Sequence, residues 1–259
     1  MMTHSIPPIT LDEDLAYVLG VIGPGDGFTF RDGISLETID REFAEEFRQR
    51  VEKVTKLKCR FISFYRGTPN RKPTYRVILF SRQFRDFLAI FGVSFRHKEW
   101  RVPDVIIQSQ EGVKAAYLRA FFDSQASVHK CICIEVKNPQ GLREIQRMLN
   151  DFHLRTYFVR RNNRENMCKL WITGRSSLER FHSKIGFTIK RKHEKLEKWL
   201  QKCPRERAPT REVNKLIPKV LQLRGLGFSY GRIARSLGMN KATVWVRLKK
   251  LNSGPPEHH

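Results

Sequence analysis

The sequence predicts an α+β fold made of two copies of one unit, followed by a small all-helical domain. Each unit is expected to run helix, two strands, helix, two strands, helix, which makes a duplicated αββαββα core. Three observations predict this architecture. Two helix-to-strand segments share one layout, a second stretch recurs at a fixed spacing, and a charged segment bounded by prolines precedes the C-terminal region.

The two matching segments run from Asp14 to Phe30 and from Lys114 to Val128. Each is an apolar helical stretch that contains small residues and ends in a polar turn before a strand-like run. In the second segment the large apolar residues recur at helical spacing: Tyr117, Leu118, Phe121 and Phe122. Small residues on an apolar helix allow another backbone to approach closely, so each helix is expected to have a tightly packed neighbour.

The repeated stretch lies beyond the last helix of each unit. Phe91 to Lys98 reads FGVSFRHK and aligns with Ile185 to Lys192, which reads IGFTIKRK, at one constant offset. A constant offset without gaps favours duplication of the whole unit. Lys98 and Lys192 therefore occupy equivalent places in the two copies.

Alternating apolar patterns and turn signals predict the remaining elements. In the first copy we expect strands at residues 27–31 and 33–39 around the Asp32-Gly33 turn, a helix from Asp40 to about residue 56, strands at 59–65 and 73–81, and a last helix closed by Gly92. In the second copy we expect strands at 126–136, 154–161 and 167–173 and a helix at 139–151.

The C-terminal region resembles a helix-turn-helix of the resolvase type between residues 227 and 249. Ile233, Ala234 and Leu237 would pack inward, Gly238 would make the turn and Asn240 would cap the second helix. The resulting domain prediction is a flexible arm at 1–10, repeats at 11–104 and 105–203, a linker at 204–209, a helix-turn-helix at 210–252 and a disordered tail at 253–259.

The two helical segments resemble the motif of the LAGLIDADG homing endonucleases, in the single-chain form that has two motif copies. Leu19 to Gly27 (LGVIGPGDG) matches one copy and Leu118 to Ala126 (LRAFFDSQA) matches the other. The resemblance implies that the motif helices pack together at a pseudo-twofold axis beneath antiparallel, saddle-shaped sheets. It also implies that the acidic residue before the motif's last position binds a catalytic metal.

Carried over by position, the metal-binding places are Asp26 and Gln125, with Gly25 and Ser124 beside them. Hydrolysis of a phosphodiester needs a metal to activate water, and Mg²⁺ or another divalent cation such as Mn²⁺ or Ca²⁺ prefers oxygen ligands. Gln125 stands where an acid is expected, and it is a far poorer ligand. Either a glutamate was changed to hold an uncleaved complex, or activity was lost naturally.

Two lysines complete the expected catalytic set of Asp26, Gln125, Lys98 and Lys192. In the family that the chain resembles, lysines in such places lie near the active sites, although an ordinary surface role is the alternative. Asp123 is expected to be structural, at the helix end.

The net charge of +23 indicates a polyanion partner. It is uneven, because residues 187–251 hold 18 Lys and Arg against 4 Asp and Glu. A β-ribbon fits the major groove of DNA, so basic strand residues would line a saddle, and the second helix of the C-terminal motif would read bases. The expected DNA contacts are Arg31, Arg60, Arg66, Arg76, Lys130, Arg155, Arg160, Lys169, Arg232, Asn240, Lys241, Thr243 and Arg247.

The resemblance thus implies a monomeric, metal-dependent endonuclease that cuts double-stranded DNA at a long asymmetric site and is associated with an intron or intein. Two alternatives stay open. One is a non-catalytic DNA-binding regulator on a degenerate core, similar in layout to the sporulation regulator WhiA, and the other is an RNA-binding intron maturase. With no signal peptide or long apolar span in view, we expect a cytoplasmic, nucleoid-associated protein, or an organellar one in a eukaryote.

Overall fold

The computed structural model describes residues 8–65, 72–93, 99–160, 167–202 and 215–252. The chain divides into two units, Met1–Cys203 and Pro204–His259. Among the described residues, no helix is both long and apolar enough to cross a membrane.

The first repeat has the predicted order of elements. They are α1 Glu13–Ile22, β1 Gly27–Phe30, β2 Gly33–Thr38, α2 Arg41–Thr55, β3 Arg60–Phe64, β4 Thr74–Phe80 and α3 Arg82–Ile90. Asp40 precedes α2 as expected, but its side chain does not cap the helix. It instead accepts two hydrogen bonds of 2.8 Å from the guanidinium of Arg191, which fastens the first repeat to the last helix of the second.

The second repeat follows the same plan, with one short additional helix before it and another additional helix after it. Its elements are α4 Asp104–Ile107, α5 Glu111–Gln125, β5 Ala126–Val128, β6 Ile132–Val136, α6 Pro139–Asp151, β7 Thr156–Arg160, β8 Cys168–Ile172, α7 Arg175–Lys184 and α8 Lys190–Lys202. The sheets have strand orders β1-β2-β4-β3 and β5-β6-β8-β7, with antiparallel neighbours throughout. Equivalent strands occupy equivalent places, so the duplicated αββαββα prediction is confirmed.

One predicted strand is divided in the structure. The expected run from Ala126 to Val136 is a hairpin, in which the main-chain N–H of His129 donates to the carbonyl of Cys131 at 2.9 Å. Folding back lets Ala126 pair with Ile134 and gives the second sheet its edge strand.

The helices α1 and α5 form the centre of the core. Their large apolar side chains are buried on all sides, as expected for helices that are apolar all round. The closest approach is at Gly20, where a Cβ atom would lie 2.5 Å from the carbonyl oxygen of Tyr117 and 2.9 Å from the Cβ of Ala120. Glycine at position 20 therefore sets the distance between the two helices.

Each sheet covers this core with one face and leaves the other open. Alternate side chains of a strand point to opposite faces, and residues paired across strands share a face. The core faces carry buried aliphatic residues: Ile34, Leu36, Val77 and Leu79 in the first sheet and Ile132, Ile134, Leu170 and Ile172 in the second.

The C-terminal unit contains three helices, α9 Ile217–Gly225, α10 Tyr230–Ser236 and α11 Lys241–Asn252. Its small core consists of Val220, Ile233, Ala234, Val244 and Leu248. Gly238 has a φ of 63° between α10 and α11, and the Asn240 side chain accepts from the N–H of Ala242 at 2.9 Å. These are the turn and the cap that the sequence predicts.

Candidate functional site

The ends of the two central helices meet at the residues that the motif spacing singles out. The chain leaves α1 through Gly23 and reaches Asp26 immediately before β1, and α5 ends at Gln125. The Nε2 of Gln125 donates to Oδ1 of Asp26 at 3.0 Å. The structure therefore brings the predicted metal-binding pair into direct contact.

The two neighbouring positions also meet. A Cβ atom on Gly25 would lie 2.7 Å from Oγ of Ser124, so the small residue at position 25 is needed for the approach. The Ser124 hydroxyl itself donates to the carbonyl of Ala120 at 3.2 Å, one turn back along α5. Position 25 therefore needs glycine for close packing, and the metal-binding role expected of Gly25 and Ser124 stays a prediction.

Asp26 and Gln125 line a cleft of about 450 Å³ that is open to solvent. The cleft contains one further acid, Glu135 on β6, which the sequence analysis did not identify. Its other lining residues are Pro24, Gly25, Trp100, Val136, Lys137 and Met167. Glu135 forms an ion pair of 2.5 Å with Lys169 on β8.

An equivalent ion pair lies in the first sheet. Glu37 on β2 and Arg76 on β4 are cross-strand partners joined at 2.6 Å, as Glu135 and Lys169 are in the second sheet. This repeated acid is a signal that an alignment of the two copies could have found. It also means that two predicted DNA contacts, Arg76 and Lys169, each lie beside a carboxylate that offsets their charge.

The donor atoms of the cleft fit one divalent cation of the Mg²⁺ type, which takes one or two carboxylates and completes its shell with substrate oxygens. Asp26 supplies one carboxylate. Gln125 can supply only a neutral carbonyl oxygen, and its amide nitrogen faces Asp26. The two halves of the site are therefore chemically unequal.

Directly behind this pair, a buried acid and a buried lysine join the end of α5 to the start of α8. The Asp123 carboxylate accepts from the main-chain N–H groups of Thr188 and Ile189 at 3.0 to 3.2 Å. Nζ of Lys192 donates to the carbonyl oxygens of Phe122 and Asp123. Asp123 is thus structural, as expected, and Lys192 binds carbonyl groups at the end of α5, where the Phe122 carbonyl also accepts from the N–H of Ala126.

Both charges are perturbed by their surroundings. Burial raises the pKa of Asp123 to about 6, although the two main-chain donors and Lys192 act in the opposite direction. Burial lowers the pKa of Lys192 to about 8, against the effect of the Asp123 carboxylate and, more weakly, of Asp26. Lys192 is within electrostatic range of the cleft but hydrogen-bonded to main chain. Its predicted counterpart Lys98 lies outside the described residues.

We expect Asp123 to make the stability of the core depend on pH. The pKa of Asp123 is higher in the folded chain than the ordinary 3.8, so protonation of Asp123 stabilises the folded state. This stabilisation is fully present below about pH 4 and is lost as the pH rises through 6. Asp123→Asn keeps an acceptor oxygen but cannot titrate. From pH 7 to pH 5, the free energy of unfolding of the wild type should rise by about 1 kcal/mol relative to the variant.

Urea unfolding at pH 5, 6 and 7 measures this difference, with Asp86→Asn as the matched control at an exposed aspartate. If the Asp123→Asn and wild-type curves run parallel across this range, Asp123 does not titrate there and the assignment is wrong.

The strand register shows which of the predicted DNA contacts on the strands lie on the open face of a sheet. Arg60, Arg76, Arg155 and Lys169 share the open faces with their cross-strand neighbours. Arg160 pairs with the buried Cys168, on the opposite face, but is itself exposed at the end of β7. Arg31 and Lys130 lie in the two hairpin turns, and Arg66 is outside the described residues. In the C-terminal unit, Arg232, Asn240 and Lys241 are exposed and Thr243 is half-buried, while the Arg247 side chain is not described.

The open faces are less basic than the saddle that the sequence analysis expects. In the first sheet, half of the residues that the strand register places on this face are aromatic or aliphatic: Phe28, Phe30, Ile62, Phe64, Ile78 and Phe80. In the second sheet, Tyr157 pairs with Trp171, and the guanidinium of Arg155 lies 5.4 Å from the Tyr157 ring. Apolar contact and stacking would therefore accompany any charge contact made by these faces.

Comparisons with known proteins agree with this geometry. A sequence profile described as a LAGLIDADG-like domain matches residues 112–186. Two proteins of Methanocaldococcus jannaschii are similar in sequence: glutamine–fructose-6-phosphate aminotransferase, 29% identical over 161 residues, and the uncharacterized protein MJ0314, 30% identical over 121 residues. The matches cover 60% and 45% of this chain, but the chain spans only 13% and 42% of those proteins.

Three solved structures share the fold. I-DmoI in complex with DNA and Mn has a TM-score of 0.50 at 17% identity over 68% of this chain and 98% of its own. The homing endonuclease I-WcaI bound to its DNA recognition sequence has a TM-score of 0.53 at 15% identity over 73% and 88%. Full-length DUF199/WhiA from Thermatoga maritima has 0.51 at 14% over 95% and 92%. Residues 112–186 therefore match a LAGLIDADG-like domain, and the described residues between 8 and 202 have the duplicated fold of I-DmoI and I-WcaI.

Proposed function

We propose that the protein is a site-specific endonuclease for double-stranded DNA that needs a divalent cation and is impaired at one of its two catalytic positions. The observation that carries the proposal is the meeting of Asp26 and Gln125 at the ends of two packed helices, in a solvent-open cleft. The fold shared with I-DmoI in complex with DNA and Mn supports the same substrate and the same class of cation.

In this proposal Asp26 would hold the cation together with phosphate oxygens of the DNA. When bound, such a cation lowers the pKa of a water molecule and offsets charge at phosphorus. Gln125 lacks the negative charge to do the same for the other strand, and it engages one oxygen of Asp26. The unaltered chain is therefore expected to bind its site and to nick it rather than to cut both strands.

The partner is a DNA duplex with a long, asymmetric site, bound by one copy of the chain. A net charge of +23 favours phosphate contacts, and the two sheets present different side chains to the duplex. Lys192 is proposed as a positioning residue that holds the end of α5, because its hydrogen bonds go to Phe122 and Asp123.

A second candidate is a DNA-binding protein without nuclease activity, comparable with WhiA. The alignment with DUF199/WhiA covers 95% of this chain, whereas those with I-DmoI and I-WcaI cover 68% and 73%. That greater coverage, together with Gln125, supports this alternative.

Selection of bound duplexes from a random library, followed by incubation of the enriched site with Mg²⁺ or Mn²⁺, tests the proposal. Metal-dependent nicking at one fixed phosphate, abolished by Asp26→Asn, is the expected result. Specific binding with no cut in either metal, by the wild type and by Gln125→Glu, would favour the regulator.

We also propose that the C-terminal unit binds duplex beside the core's site as a helix-turn-helix. The exposed Asn240, Lys241 and Trp245 at the start and middle of α11 are placed to meet a groove. A chain ending at Cys203 should bind the selected site more weakly and with a flatter salt dependence, since each lost phosphate contact lowers the log–log slope by about 0.9.

Titration of both proteins at several salt concentrations, with footprinting, measures this effect. The protection should shorten on one side while any cut stays at the same phosphate. An unchanged footprint and slope would show that the unit does not bind DNA at this site.

A further inference from the structure

A cluster of two histidines and a glutamate lies where α7 packs on α8, separate from the cleft of Asp26. His182 is near the end of α7, and His193 and Glu197 are one turn apart on α8. A ring nitrogen of each histidine and a carboxylate oxygen of Glu197 all lie within 4.8 Å of one another. Among the described residues, it is the one such group of three His, Cys, Asp or Glu side chains.

The distances within the cluster suit a shared cation better than hydrogen bonds. Nε2 of His182 and Nε2 of His193 each lie 3.4 Å from Oε1 of Glu197, beyond the usual range for N–H···O bonds. Ligands about 2.1 Å from a tetrahedral Zn²⁺ are separated from each other by about 3.4 Å. Two edges of a tetrahedron are therefore already present.

The imidazole of His182 adds an independent observation. Its Nε2 atom is shielded from solvent and has no hydrogen-bond partner among the described residues, although most buried polar atoms in proteins have one. The ring lies against that of His193, with centroids 4.6 Å apart. A cation bound between the rings and Glu197 would satisfy this nitrogen.

Glu197 could bind a cation because the lysines near the cluster approach Glu194 instead. The neighbouring acid on α8, Glu194, is approached by Lys190 and Lys198 at 3.9 and 3.8 Å. Glu197 is instead approached by the two imidazoles. Neutral imidazole nitrogens together with one carboxylate suit Zn²⁺ and similar transition metals, whereas Mg²⁺ and Ca²⁺ prefer all-oxygen sites.

We propose that His182, His193 and Glu197 bind one Zn²⁺-type cation, with a water molecule in the fourth position, and that this ion fastens α8 to α7. The helix α8 also carries Lys192, which holds the end of α5. By holding α8 in place, the bound ion would stabilise Lys192 and the end of α5 behind the cleft. It would take no part in DNA cleavage. The proposal does not depend on the proposed function.

Competition between the chelator-treated protein and a chromophoric chelator, titrated with Zn²⁺ alone in excess Mg²⁺, tests the proposal. The wild type should bind one more equivalent of Zn²⁺ than Glu197→Gln or His193→Gln, or bind it at least tenfold more tightly, and its thermal midpoint should rise with Zn²⁺. His129→Gln, at an exposed histidine of the β5–β6 turn, is the matched control and should behave as the wild type. All these proteins share His258 and His259, so binding by the tail cancels in the comparison.

A second variant keeps the test decisive if removal of a ligand disturbs folding. His193→Cys exchanges one zinc ligand for another, so it should still bind the metal, and with Co²⁺ it should gain a thiolate charge-transfer absorption that the wild type lacks. Equal Zn²⁺ binding by the wild type and Glu197→Gln, or a His193→Cys protein without the new absorption, would overturn the proposal.

Discussion

Gln125→Glu is expected to convert the protein from one that binds or nicks its DNA site into one that cuts both strands. The change places a second carboxylate at the end of the other central helix, where the Gln125 amide nitrogen now lies 3.0 Å from Oδ1 of Asp26, without a change in side-chain size. A metal at such a site stabilises the transition state by several kcal/mol, and each 1.4 kcal/mol is a factor of ten in rate. Cleavage of the second strand should rise by roughly a hundredfold or more.

Single-turnover cleavage of the selected duplex, labelled on each strand in turn, measures the two cuts separately. DNA affinity in Ca²⁺ should stay close to that of the wild type. Asp26→Asn in the Gln125→Glu background is the control, and it should remove the gain. A Gln125→Glu protein that stays inert on a verified site, or a wild type that already cuts both strands efficiently, would contradict the assignment.

Gly20→Ala is expected to lower the stability of the core by forcing its two central helices apart. The new Cβ would lie 2.5 Å from the carbonyl oxygen of Tyr117 and 2.9 Å from Cβ of Ala120, and neither atom belongs to a flexible side-chain end. The helices α1 and α5 must therefore move apart. Overpacking of this kind costs about 1–3 kcal/mol, which corresponds to a thermal midpoint lower by roughly 5 °C in a chain of this size.

Gly112→Ala is the matched control, because it makes the same change in the other central helix. There the new Cβ would meet only Oε1 and neighbouring atoms of Glu13, a side chain that can rotate away. Alanine is the better helix former by about 0.5–1 kcal/mol, so Gly112→Ala should be neutral or stabilising. Thermal unfolding of both variants decides the point, and equal midpoints would show that the α1–α5 distance is not fixed at position 20.

Much of the fold could be predicted because local signals and the duplication agree. The helix α6 begins and ends where it was expected, since Asn138 accepts from the N–H of Gly141 and Pro139 starts the first turn. The turn between β5 and β6 was not located within the strand region 126–136, because His129 and Lys130 give no glycine or proline signal and the apolar alternation continues on both sides.

The candidate site was predictable only where its residues share one motif. Asp26 and Gln125 are related by the repeated helix end, so their meeting follows from the symmetry of the two copies. Glu135 comes from a strand, and the cluster of His182, His193 and Glu197 comes from two helices. Their contacts depend on packing angles and strand register, which spacing along the chain does not specify.

The closest helix contact lies at Gly20, whereas the polar pair lies beyond the last turn, at Asp26 and Gln125. The residue that fixes the helix distance is thus separate from the two polar residues at the helix ends. Over evolutionary time, an acid at the tip of α5 could be exchanged for an amide without penalty to folding. One codon would then separate a nuclease from a binding protein, and descendants of a single duplicated ancestor could cross that boundary in either direction while keeping every element of the scaffold.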